Sequence, residues 1–221
     1  MAILPQMLRS ATPVRLRDDV RLRAFALGLG LIPPRTMHST ADARLLLDAA
    51  EGALRVVEIG VYEGASAVAL CGVLRSQAEL HLVDPFGAHP DALPQDWAAS
   101  EWATRRAVAR ALRRRGLEAP RVSWHAVLST DLAARWQGQV DLVFIDGDHS
   151  EAGCERDWLD WHRFVAVGGR VVFHDARQDE PGGRGLPGPT AVVCRRFRGQ
   201  GTPGWTIKAE ADRTVVVARN G

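Results

Sequence analysis

The chain has 221 residues, 46% of them hydrophobic and 24% charged, enough to bury one sizeable core and carry a small N-terminal extension. Its 28 Lys+Arg against 26 Asp+Glu leave a net charge of +2, which gives no electrostatic case for nucleic acid as the main partner. Cys71, Cys154 and Cys194 lie far apart with no CxxC spacing, no apolar run is long enough to span a bilayer, and the N-terminus lacks a signal-peptide pattern, so a cytoplasmic protein with no membrane partner is expected.

Taken in chain order, residues 14–31 form a charged, Leu-bearing segment that predicts a helix ending at Pro33-Pro34. Residues 42–54 predict a second helix, with Ala43, Leu46, Leu47 and Ala50 on one side and Ser39 or Thr40 as its cap. A strand–helix alternation follows. Strands are predicted over 55–59, 79–83, 121–126, 141–145 and 170–173, and helices over 65–76, 96–115, 130–136 and 150–165. Gly168-Gly169 is expected to be the turn before the fifth strand. Residues 178–189 are a Gly/Pro-rich loop and a candidate lid, 191–197 predict a helix, and 205–208 with 214–218 predict a closing pair of strands. The alternation implies an α/β fold: a Rossmann-like, doubly wound, mostly parallel sheet with an antiparallel C-terminal strand. Residues 1–54 are expected to cap a ligand-binding domain formed by 55–221.

Three strand ends carry the chemistry. The apolar run Leu142–Ile145 stops at Asp146, Asp148 and His149 within four residues. Charges there are costly unless solvated, paired or metal-bound, and the carboxyl edge of an open α/β sheet is where ligands bind. The parallel case is Val171-Val172-Phe173 running into His174-Asp175. If the two strands are neighbours, Asp146, His174 and Asp175 meet at one edge. Such a group is either a hydrogen-bonded network or a metal site; oxygen ligands suit Mg²⁺, and a histidine among them admits Mn²⁺, Fe²⁺ or Zn²⁺.

The third is Glu58-Ile59-Gly60-Val61-Tyr62-Glu63-Gly64, an acid and two glycines between strand and helix. The glycines suit a close backbone approach to a ligand or simply a tight turn. The spacing is not GxGxxG, which counts against a nicotinamide-dependent oxidoreductase. Asp84 ends the next strand, where an acid can accept ribose hydroxyls or cap the Pro85–Gly87 turn.

Together these segments resemble class I S-adenosylmethionine-dependent methyltransferases, in particular the metal-dependent O-methyltransferases related to macrocin and other natural-product sugar methyltransferases. The likeness spans about residues 35–218, with Phe144–Ser150 and Phe173–Asp175 its more specific part. It implies a cofactor site at Glu58, Gly60, Tyr62, Gly64, Asp84, Ser129 and Asp146, with Gly60 against S-adenosylmethionine and Asp84 on its ribose. It implies a divalent metal, Mg²⁺ first and Mn²⁺ next, on Asp146, His174 and Asp175. His174 departs from the family, where that position is commonly Asp. Asp148 is the implied general base, with His149 the alternative.

The expected activity is therefore metal-assisted O-methylation of a hydroxyl on a small molecule, a sugar or another natural product. A metal-independent N-methyltransferase and a non-catalytic cofactor-binding protein are the rivals on the same fold. A homo-oligomer is allowed but specified by nothing. The arginines of 105–115 read as a solvated face, with an acidic substrate or phosphate the alternative, Trp97 and Trp102 as core packing or else pocket walls, and Met37-His38 as either surface or a cover for the cofactor.

Overall fold

The computed structural model describes residues 19–87, 99–178, 183–199 and 201–221. The chain opens with α1 (Val20–Leu29) and α2 (Thr40–Ala50). Asp19 caps α1 through the Arg21 and Leu22 amides, and Gly30 ends it at φ +80°. Ser39 and Asp42 make a reciprocal capping box on α2. Asp42 is buried and also accepts from the Arg213 amide and the Thr214 hydroxyl, which pins α2 to the C-terminal hairpin.

The alternation then runs β1 (Arg55–Ile59), α3 (Ala65–Val73), β2 (Glu79–Val83), α4 (Glu101–Arg115), β3 (Arg121–His125), α5 (Ser129–Ala133), β4 (Val140–Ile145), α6 (Glu151–Trp161), β5 (Val165–Phe173), α7 (Pro187–Val193), β6 (Trp205–Ala211) and β7 (Thr214–Arg219). The sheet order is β3-β2-β1-β4-β5-β7-β6. The first five strands are parallel, and β7 runs antiparallel between β5 and β6.

Because successive strand residues face opposite sides, the core divides in two. Val56, Leu80, Leu142, Phe144 and Val172 meet α2, α3 and α4 on one face. Val57, Ile59, Val143, Val171 and Phe173 meet α5, α6 and α7 on the other, around Trp158 and Trp161. Connections leave β1 toward β2 on one side and β4 toward β5 on the other. The β1/β4 boundary is thus the topological switch point, where the strand ends open a crevice.

Several expectations need correction. The fifth strand begins at Val165, not Arg170: the stretch through Gly168 (φ +80°) and Gly169 is an irregularity within it, not a turn before it. The helix before it stops at Trp161, and His162–Phe164 form a 3-10 turn. The fourth helix starts at Glu101 behind an Ser100 cap rather than at residue 96. The arginines of α4 are not merely a solvated face. Arg110 donates to the Leu27 and Gly28 carbonyls and Arg106 to Gly28, satisfying the end of α1. Arg115 does the same for Gly72 and Leu74 at the end of α3.

Candidate active site

Parallel pairing of β4 with β5 matches Ile145 to Phe173. The residues just beyond, Asp146 and His174-Asp175, therefore emerge side by side, as the sequence suggested. His174 Nδ1 lies 2.9 Å from Asp146 Oδ1, and His149 Nε2 lies 3.2 Å from the same oxygen. His38 Nε2 lies 3.1 Å from the other oxygen, Oδ2. His174 Nδ1 is 3.5 Å, and His149 Nε2 3.8 Å, from Asp175 Oδ2. One ligand atom each from Asp146, His149, His174 and Asp175 falls within 4.8 Å of the others.

Burial alone would push the Asp146 carboxyl up. The charge of His174 and the hydrogen bonds from three imidazoles outweigh it and hold Asp146 well below the usual carboxylate range. The hydrogen bond to Asp146 raises His149, and for His174 the Asp146 charge overcomes a burial effect of opposite sign. Asp175 sits at φ +53°, an unfavourable region for a residue with a Cβ. Its carbonyl accepts the Leu186 amide, its carboxylate faces Arg213 at 3.3 Å, and the next amide, Ala176, donates to the Arg213 carbonyl. His174 Nε2 is buried with no hydrogen-bond partner among the described residues. A strained, incompletely satisfied cluster is not an arrangement chosen for stability. Its mixed nitrogen and oxygen donors fit a borderline divalent ion such as Co²⁺ or Zn²⁺, and to a lesser degree Mn²⁺, better than Mg²⁺.

Across the switch point, Gly60 adopts φ +84°, and a Cβ there would collide with the Asp146 carbonyl. This glycine is demanded by the β1–β4 approach itself. Asp84 gathers the loop after β1: Oδ2 accepts the Val61 and Tyr62 amides, each at 2.9 Å, and Oδ1 accepts Phe86 at 2.7 Å. Tyr62 is held at φ +51°, with its carbonyl bound by the Thr104 hydroxyl. Burial raises Asp84 despite those three donors. A carboxylate has about four acceptor sites, so capping the loop leaves room for a ligand hydroxyl.

Glu58 is fully buried beneath this loop. Ser66 donates to its Oε1, while Oε2 has no partner among the described residues. Burial pushes Glu58 up to about 8 against that hydrogen bond. Gly64 (φ +83°) opens α3. Ser129, at the start of α5, donates to Asp157 of α6, a buried acid that burial raises to about 7.

Asp148 stands apart from the cluster. It is exposed, its Oδ1 accepts the Ser150 amide at 2.8 Å, and its carboxylate packs on Gly153 in the first turn of α6. Trp102 stacks on Phe25 of α1, and Trp124 lies under the Arg105 guanidinium; Trp97 falls outside the described residues. His125 Nε2 sits 3.2 Å from His81 Nδ1, and burial holds His81 down to about 4. The expected 178–189 loop ends earlier than predicted, because Pro187–Pro189 open α7; Gly188 in that first turn packs against the His149 carbonyl, so the start of α7 borders the site.

A family model described as a methyltransferase domain matches residues 57–176, more than half of the chain. The chain belongs to this methyltransferase family. The methyltransferase also superposes on solved structures of the same fold. A protein from Corynebacterium glutamicum aligns with TM-score 0.61 at 18% identity, covering 99% of this chain and 96% of that one. The O-methyltransferase NovP gives 0.64 at 17%, covering 84% and 82%. The O-methyltransferase TomG from Streptomyces achromogenes gives 0.58 at 17%, covering 92% and 90%. The motifs at Glu58–Gly64, Asp84, Phe144–Ser150 and Phe173–Asp175 thus belong to a class I S-adenosylmethionine-dependent methyltransferase, with the Rossmann-like sheet they implied. No described helix is long and apolar enough to cross a membrane.

Proposed function

We propose that this methyltransferase moves the methyl group of S-adenosylmethionine onto a hydroxyl of a small molecule, a sugar or another natural product, with a divalent ion held by Asp146, His174 and Asp175. The observation that carries it is the convergence of those side chains with His149 at the switch-point edge, beside the Gly60–Gly64 loop. Supporting it, TomG was solved with S-adenosylmethionine and is described as involved in tomaymycin synthesis, and NovP is an O-methyltransferase.

A bound ion there would supply Lewis-acid chemistry, lowering the acceptor hydroxyl's pKa and fixing its oxygen. The chain's own groups do the rest. Asp84, the Gly60–Gly64 loop and Ser129 cradle the donor, with Asp84 on the ribose. His149, the most open side chain of the cluster at 39% exposure, takes the hydroxyl proton. The acceptor oxygen forms a bond to the methyl carbon as the carbon–sulfur bond breaks, its electron pair going to sulfur. S-adenosylhomocysteine and a protonated His149 remain. Residues 19–54 act as the cap over this domain, the rest of the expected 1–54 cap lying outside the described residues, and the protein works in the cytoplasm.

Calorimetric titration with S-adenosylmethionine and S-adenosylhomocysteine, with and without Mn²⁺, tests the reading; failure of either to bind overturns it. The three imidazoles already bound to Asp146 favour a second reading, a metal-free transfer with His149 as base. Turnover that survives exhaustive chelation selects that second reading.

A further inference from the structure

His38 lies outside the strand-end motifs and has no part in the proton transfer above. It precedes α2, 108 residues before Asp146, yet its ring is inserted into the cluster with only 9% of the side chain exposed. The ring meets His174 edge-on at 4.3 Å and Phe144 at 5.7 Å. The two Asp146 oxygens are divided: among the described residues, His149 and His174 share Oδ1 and His38 alone holds Oδ2.

We propose that His38 is a positioning residue for the ion centre, donating its Nε2–H to Asp146 Oδ2 so that only Oδ1 is presented to an ion. This rests on the ion-assisted reading above. Carboxylates that ligate a metal are themselves fixed by hydrogen bonds, and loss of such a partner costs roughly 10–100-fold in metal affinity.

Both flanks of His38 are anchored, which suits that task. Behind it, the capping box of Ser39 and Asp42 and the bonds from Asp42 to Arg213 and Thr214 fix the start of α2. Ahead of it, the Arg35 amide donates to Glu63 Oε2 at 2.6 Å, and the Thr36 hydroxyl accepts the His38 amide at 3.2 Å. The segment therefore spans from the loop after β1 to the ion cluster, and its histidine reaches a defined atom. With one oxygen committed, Asp146 would offer an ion a single oxygen. That geometry suits a four- to six-coordinate borderline ion more than a larger oxygen-seeking one.

The test uses the full chain, Co²⁺ as probe for its visible ligand-field bands, and the variants His38→Ala and His38→Gln. Glutamine restores an N–H donor without an imidazole. His38→Ala is expected to weaken Co²⁺ binding by roughly 10–100-fold and to shift the bands, with His38→Gln recovering most of both. S-adenosylmethionine affinity without the ion should change less than about threefold in either variant. Wild-type affinity and spectrum in His38→Ala, or no recovery in His38→Gln, overturns the assignment of His38 alone. A wild-type chain that takes up no Co²⁺, with or without S-adenosylmethionine, overturns the ion-assisted reading as well.

Discussion

Asp146 and His174 face each other across two parallel strands, with imidazole Nδ1 2.9 Å from carboxylate Oδ1. The pairing follows from register: Ile145 is the partner of Phe173, and the His174 amide continues the ladder to the Ile145 carbonyl at 3.1 Å. A one-residue slip would send one of the two side chains to the other face of the sheet.

Replacing Asp146 removes the acceptor that all three imidazoles share. Asp146→Ala should abolish ion-stimulated turnover, by roughly 100-fold or more in kcat/KM given that even outer partners are worth 10–100-fold. S-adenosylmethionine affinity should stay near wild type if, as proposed, Asp84 and the Gly60–Gly64 loop carry most of the donor contacts and Asp146 adds little. Full ion-dependent activity in this variant removes Asp146 from the ligand set.

His149 and Asp148 are adjacent but differently placed, and kinetics can separate them. His149 is in the cluster, whereas the Asp148 carboxylate is engaged by the Ser150 amide at the start of α6. His149→Gln should lower kcat by roughly 10²–10⁴-fold with KM little changed. Asp148→Asn keeps an acceptor for the Ser150 amide and should lower kcat less than about threefold. The reverse ranking makes Asp148 the base.

The contrast shows what the sequence exposes. Strand ends were legible because an apolar run that stops at charge is a local pattern, and adjacency of the last two parallel strands then brings Asp146 to His174-Asp175. The β1 turn was legible for the same reason. His38 was legible only as an open choice between surface and a cover for the cofactor, since its contact spans 108 residues and nothing beside it marks a buried ring. Asp157 was missed because a polar residue in α6 reads as solvent-facing until Ser129 of another helix is seen to bind it. The α4 arginines were misread because carbonyl acceptors at the ends of other helices leave no mark in the local pattern. Asp148 was proposed as base from family likeness, which carries no information about the turn its carboxylate occupies.

Asp157 makes stability depend on pH. Burial raises it to about 7 from an ordinary value of 3.8, opposed by the Ser129 hydrogen bond. Between those values the folded chain keeps a proton that the unfolded chain has released. Stability therefore falls as pH rises through this window, and the penalty is complete above about 7. Asp157→Asn keeps an oxygen for Ser129 and removes the ionisation. Its advantage over wild type should be small near pH 4 and grow toward pH 8, with an upper limit on the order of 4 kcal/mol. Chemical denaturation at pH 5 and pH 8 measures it; an equal difference at both pH values would discard the explanation.

Glu63 ties the N-terminal segment to the loop after β1. Its carboxylate is nearly buried, receives both Arg23 Nε at 2.5 Å and Nη2 at 2.6 Å, and also takes the Arg35 amide. Glu63→Ala leaves the Arg23 guanidinium and that amide without this acceptor, a change worth about 3 kcal/mol at the low end for a buried pair. The loss should be felt locally, as undocking of α1 and residues 30–38, because the two-sided sheet core is untouched. Amide hydrogen exchange over residues 20–38 should accelerate by roughly 100-fold, while exchange in β1 and β4 holds. Since His38 follows Arg35 by three residues, the same variant should also lose affinity for the ion. Coupling of this kind is reciprocal, so ion and S-adenosylmethionine together should slow exchange over residues 20–38 in the wild-type chain. Protection there that is indifferent to both ligands would mean that the segment rests on the site without being linked to it.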